Sequence, residues 1–155
     1  MKTDGGLRSL FQKHLPEAHW QAIESHSTGQ GIPDLAYCFK NYDVGQKSWG
    51  MPSHFSGWIE CKKTGTNKVD IWPEQVAWIE RHWRVNGRAW IAVRKLCKAG
   101  PRRKAADELH LFHGEAGRWL MTGGLSAVPG LYRKGVWNDG PSAWDWAAVK
   151  EVITG

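Results

Sequence analysis

The segment Gly57-Trp58-Ile59-Glu60-Cys61-Lys62 sets two opposite charges into an otherwise apolar strand, which restricts how the chain can fold around it. Side chains on a strand alternate, so Glu60 and Lys62 emerge on one face while Cys61 points the other way. Upstream, Gly31-Ile32-Pro33-Asp34 is a turn that opens the apolar run Leu35 to Phe39, and Asp34, at the head of that adjacent strand, faces the same edge. Downstream, Pro73 starts a helix with Val76, Ile79 and Trp83 in one stripe, Gly87 closes it, and Ala89 to Val93 is a compact apolar strand. Two strands joined through a helix imply parallel neighbours, so the expectation is an α/β (α+β) chain with a central mixed β-sheet flanked by helices.

The chemistry follows from the residue types. Asp34 and Glu60 offer two hard oxygen ligands, and the backbone carbonyl of Cys61 between Glu60 and Lys62 offers a third, a set suited to Mg²⁺ or Mn²⁺ with waters retained. Such an ion can activate water and shield the charge that grows during cleavage of a phosphodiester. Lys62 would position or deprotonate the attacking water, or neutralise the phosphate; the sequence leaves these roles open. The competing reading makes Asp34 a turn residue and Glu60/Lys62 a surface ion pair worth little.

These residues resemble the PD-(D/E)XK nuclease superfamily, with Pro33-Asp34 as the first motif element and Glu60-Cys61-Lys62 as the second. Within it, the Gly31 to Asp34 turn, the Ile59 to Lys62 strand and Pro73-Glu74-Gln75 are together similar to the VRR-NUC and Holliday-junction-resolvase-like branch. The resemblance runs from about Leu7 to Arg94. It implies a restriction-endonuclease-like core of order αβββαβ, a metal-dependent DNA endonuclease activity, and branched DNA such as a four-way junction as substrate. Flaps, nicked or linear duplex DNA, and a non-catalytic DNA-binding role in recombination or repair, are the alternatives. The resemblance also implies a role for Gln75, which would reach the water or a phosphate oxygen, or else be an ordinary exposed helix residue. Related resolvases take an acidic ligand from the first helix, which has none here at a matching position, so Glu24 or Glu17 is the candidate substitute. A homodimer is implied by analogy with enzymes that cut two strands symmetrically.

A length of 155 residues fits one domain, with a core over about 7–113 and a C-terminal extension over about 114–155. The net charge of +6 and pI near 9.4 favour an anionic partner, of which nucleic acid is the simplest. Six cations lie between Arg94 and Lys104, and Arg94, Lys95, Lys98, Arg102, Arg103 and Lys104 read as a phosphate-contacting loop between two strands, with Lys63 and Lys68 beside the active strand. Ser27 and Thr28, in the polar loop before the Gly-Ile-Pro-Asp turn, are further candidates for a DNA phosphate.

Eleven tryptophans are many for this length; most should pack in the core, while Trp49 or Trp72 could stack on unpaired bases. Cys38, Cys61 and Cys97 form no Cys-x-x-Cys pair, which fits reduced thiols in a cytoplasmic setting, the host's if a phage carries the gene. No long apolar run or leader pattern is present, so neither secretion nor a membrane partner is expected. His110 and His113 fall at odd spacing on a strand, on opposite faces, which argues against a zinc pair.

The remaining elements read as a first helix over Leu7 to Leu15 stopped by Pro16, a strand from His19 to Glu24, and a strand from Leu109 to Phe112. Between Gly114 and Ser142 the pattern specifies no element. Ser142-Ala143-Trp144-Asp145 resembles a capping box opening a last helix through about Val152.

Overall fold

The computed structural model describes residues 3–23, 31–40 and 54–155. Helix α1 spans Leu7–His14, followed by strands β1 (His19–Ala22), β2 (Leu35–Lys40) and β3 (His54–Thr64), helix α2 (Pro73–Arg84), and strands β4 (Ala89–Cys97) and β5 (Ala106–His113). Helix α3 (Gly117–Gly123), strand β6 (Arg133–Trp137) and helix α4 (Trp146–Ile153) complete it, with short 3₁₀ turns at Gly114–Ala116, Leu125–Ala127 and Gly130–Tyr132. The six strands form one sheet in sequence order; all neighbours are antiparallel except β3 and β4, which are parallel and joined through α2. The fold is α+β, a mixed sheet flanked by helices.

Alternation sends apolar residues to both faces of the sheet. One core gathers Leu35, Tyr37, Phe39, Ile59, Cys61, Ala92, Leu109 and Leu111 under Leu7 and Phe11 of α1 and Val149 and Ile153 of α4. The other gathers Ile91, Val93 and Phe112 under Val76 and Ile79 of α2 and Leu120 of α3. Burying a large aliphatic or aromatic side chain contributes about 1.5–3 kcal/mol, so both layers hold the strands in place. Residues past 113 are woven into both cores. The hydroxyl of Tyr37 donates to the carbonyl of Ile153 and accepts the indole N–H of Trp90 at 2.9 Å, tying α4 to the middle of the sheet.

Several element boundaries differ from the sequence reading. Strand β1 ends at Ala22, and Glu24 lies outside the described residues, as do Ser27, Thr28 and Trp49. Strand β4 continues through Cys97, because pairing with β5 carries the hairpin past the apolar run and into the basic segment. The last helix is capped by Asp145, whose carboxylate accepts from the N–H of Ala148 at 3.0 Å, and Ser142 lies in the turn before it. Helix α2 ends at Arg84, and the left-handed residue that turns the chain out is Asn86, at φ 65°. The N–H of Gly87 then returns to the carbonyl of His82 at 2.9 Å. No helix among the described residues is long and apolar enough to cross a membrane.

Candidate functional site

The β2–β3 ladder ends at Leu35 opposite Ile59, whereas β3 stays paired with β4 as far as Thr64 opposite Lys95. Past Ile59, strand β3 therefore has an edge without a strand partner among the described residues. One register step beyond Leu35–Ile59 sets Asp34 against Glu60. The carboxylate of Asp34 accepts the N–H of Cys61 at 2.9 Å. Because the N–H and C=O of a strand residue point to the same side, the Cys61 carbonyl is directed to the flank where Asp34 stands. The Cys61 thiol lies buried in the opposite core, and burial pushes its pKa well up.

The turn carrying Asp34 is docked on the first turn of α2. Gly31 has φ 86°, and a Cβ there would fall 2.3 Å from the carbonyl oxygen of Glu74, so glycine is required twice, by conformation and by close approach. This contact brings the first turn of α2 to the carboxylates. Gln75 Oε1 accepts the Trp72 N–H at 2.9 Å, closing one half of a capping box, and accepts Lys62 Nζ at 3.0 Å. Gln75 Nε2 donates to Glu60 Oε1 at 2.9 Å, and Lys62 Nζ lies 3.2 Å from that same oxygen. Asp34, Glu60, Lys62 and Gln75 thus form one cluster, with Cys61 contributing backbone. Glu60 and Lys62 are not a surface pair, since their side chains are 1% and 15% exposed.

The electrostatics are uneven across the cluster. Glu60 Oε1 has two donors, while Glu60 Oε2 is buried with no hydrogen-bond partner. Burial first, and the charge of Asp34 second, push the Glu60 carboxyl up to about 8, against the pull of Lys62. Burial also raises Asp34, opposed by the Cys61 N–H and then by Lys62. Two buried carboxyls, one of them raised by the other, beside an oxygen with no donor form an arrangement that a cation would relieve. Two carboxylates and one carbonyl suit a hard ion that keeps several waters, as Mg²⁺ does. Among the described residues no group of three or more His, Cys, Asp or Glu side chains converges on a metal position, so the protein's third donor would be the backbone of Cys61.

The expected nucleic-acid contacts separate into two faces. Lys95 lies on the Glu60/Lys62 face, two residues past Val93, the register partner of Lys62. Lys63 and Arg94 lie on the other. Arg94 is a correction to the loop assignment: it sits within β4, donates to both oxygens of Asp107 at 2.8 and 2.7 Å, and reaches the Gly5 carbonyl at 2.7 Å. Its charge is engaged in holding the N-terminal segment. Lys98, Arg102, Arg103 and Lys104 remain exposed on the β4–β5 connection, and Lys68 is exposed between β3 and α2. Glu17 is paired with Lys150 at 3.0 Å rather than serving the carboxylate cluster.

His110 meets Glu108 at 2.9 Å, and His113 stacks on Trp83 with centroids 3.9 Å apart, so the two histidines occupy separate environments. Trp72 is 64% exposed. Arg8 of α1, held to Asp4 at 3.1 Å, lends positive charge to Asp34; its position opposite the turn is set by tertiary packing and leaves no mark in local pattern. Comparison with known proteins finds no matching family model, no matching curated protein and no matching solved structure.

Proposed function

We propose that this protein is a metal-dependent DNA endonuclease with a restriction-endonuclease-like core, acting on branched DNA. The observation that carries the reading is the buried carboxyl of Glu60 set against that of Asp34, with no donor on Glu60 Oε2 and with Lys62 and Gln75 bound to the other oxygen. A purely structural ion pair would have both oxygens satisfied. Asp34, Glu60 and the Cys61 carbonyl would hold Mg²⁺ or Mn²⁺, which when bound supplies charge neutralisation at the phosphate and acidifies water.

The chain's own groups do the positioning. Lys62 presents its ammonium at the mouth of the carboxylate pair, where it can orient a water or bind a phosphate oxygen. Gln75 aims that ammonium from the far side, and its own amide is fixed by the cap of α2. Among the described residues no strand covers the edge of β3 beside the cluster, the side from which a large substrate would approach. The exposed cations at Lys98 and Arg102 to Lys104, with the net charge of +6, supply the sequence-independent attraction that a phosphate backbone needs.

The test is cleavage of end-labelled four-way junction, flap and linear duplex DNA in Mn²⁺, Mg²⁺ or EDTA, with wild type beside Lys62→Ala. Metal-dependent cutting that falls at least about 100-fold in the variant, with DNA binding held within a few-fold, is the expected result. Undiminished cutting by Lys62→Ala would remove the assignment.

A further inference from the structure

Residues on the Glu60 face of β2 and β3 stand in register rows: Asp34 beside Glu60, then Ala36 opposite Trp58, then Cys38 opposite Ser56. Each row lies about 7 Å from the next at strand spacing. The helices over this face pack on Trp58 and on β4 and β5, so Ala36 and Cys38 stay half-exposed and Ser56 exposed. The floor is therefore made of small side chains. Along one side runs α2, whose residues Gln75, Trp78 and His82 follow helical spacing and form a single stripe.

That stripe is aromatic beyond Gln75. Trp78 stacks on His82 with centroids 4.8 Å apart and planes 19° apart, and Trp58 meets Trp78 edge-on at 5.2 Å. All three rings are half-buried rather than sealed in the core. At the end away from the carboxylates lies a groove of about 420 Å³ whose lining includes Ala36, Ser56, Trp58 and His82. Arg88 donates to the Gly155 carbonyl at 2.8 Å and lies over the Phe55 ring, so its guanidinium is held on the opposite face of the sheet, under α4.

We propose that this groove seats an unpaired stretch of the DNA strand next to the phosphate being cut, with Trp58 and His82 as the stacking surface and Trp78 backing them. The inference rests on the nuclease reading and names its substrate: DNA with a single-stranded arm, a flap or an overhang, rather than a fully paired junction. Shape supports it, because the groove opens beside a floor of small side chains. Chemistry supports it as well: aromatic faces accept any base, and the row of Ala36 and Trp58 stands next to that of Asp34 and Glu60.

The test is fluorescence anisotropy in EDTA with labelled oligo(dT) and a duplex of equal length, using wild type, Trp58→Leu and His82→Ala. Wild type should bind the single strand at least 10-fold tighter than duplex, with quenching of tryptophan emission. Each variant should lose roughly 5- to 150-fold in single-strand affinity, the span that corresponds to stacking one base, and keep its duplex affinity. Equal affinity for both DNAs in wild type overturns the proposal, as does unchanged single-strand binding by His82→Ala, which removes less core packing if Trp58→Leu does not fold. Cleavage assays on the same wild-type preparation separate the two ideas. Metal-dependent cutting without single-strand preference defeats the groove alone, whereas single-strand preference without cutting defeats the nuclease reading and leaves the groove standing.

Discussion

Replacing Glu60 with glutamine should make the metal-free protein more stable, and increasingly so as the pH rises. Glu60 is 1% exposed, and its carboxyl is pushed from 4.5 up to about 8 by burial and by Asp34. A folded value raised above the unfolded one means that the contribution is fully present below about pH 4.5 and is lost as pH climbs through about 8. At about 1.4 kcal/mol per unit, the loss approaches an upper limit on the order of 5 kcal/mol. Glutamine keeps an Oε1 to accept from Lys62 and Gln75, and its amide can donate to Asp34 where Glu60 Oε2 has no partner. For a chain of this size 1 kcal/mol moves Tm by about 2–4 °C, so Glu60→Gln should melt roughly 10 °C above wild type at pH 8 and within about 3 °C of it at pH 5. Differential scanning calorimetry in EDTA at both pH values reads this directly. Millimolar Mn²⁺ should then stabilise wild type but not the variant, by about 2.7 kcal/mol at a hundredfold excess over Kd. A variant no more stable than wild type at pH 8, or equally stabilised at pH 5 and 8, would refute the reasoning that a buried, uncompensated carboxylate sits at this position.

Other expectations are simpler to check. Gly31→Ala should destabilise by more than about 2 kcal/mol, since it combines a left-handed backbone with a Cβ pressed on the Glu74 carbonyl, and should abolish the Mn²⁺-dependent rise in Tm; urea melts with and without metal decide it. Neutralising Lys98, Arg102, Arg103 and Lys104 together should flatten the log Kd against log salt plot for duplex DNA by up to about 3.6, at about 0.9 for each phosphate no longer neutralised; an unchanged slope would detach this connection from DNA. His110 and His113 have pKa values lowered by burial, so their contribution is complete above the unfolded value near 6.5 and drains away as pH falls through the folded values. His110→Leu should therefore reduce the loss of Tm below pH 6, measured by the same calorimetry.

The carboxylate cluster was legible because two short periodicities converge on it. Alternation alone puts Glu60 and Lys62 on one face, and a Pro-Asp turn before an apolar run puts Asp34 at a strand head. The roles of Gln75 and Arg94 were less legible for opposite reasons. Gln75 is recruited by the cap of its own helix, a local signal that also places its amide against Glu60. Arg94 is recruited by Asp107, thirteen residues away on the next strand, and an isolated basic run cannot reveal such a partner. The elements between Gly114 and Ser142 escaped for a third reason. Arg133–Trp137 is a short edge strand containing a glycine, and Gly117–Gly123 is bounded by glycines, so pairing with β5 and burial of Leu120 supply what propensity does not.

The bond from the Cys61 N–H to Asp34 has a consequence for how inactive controls are chosen. An unpaired strand edge is a template for adding another chain, and proteins keep such edges from associating by occupying them. At Cys61 the occupant is the carboxylate of Asp34. Asp34→Ala would remove a proposed ligand and uncover a buried-edge donor together, so insolubility could be mistaken for lost function. Asp34→Asn keeps an oxygen for that N–H and is the cleaner reference protein, because the edge stays closed to self-association.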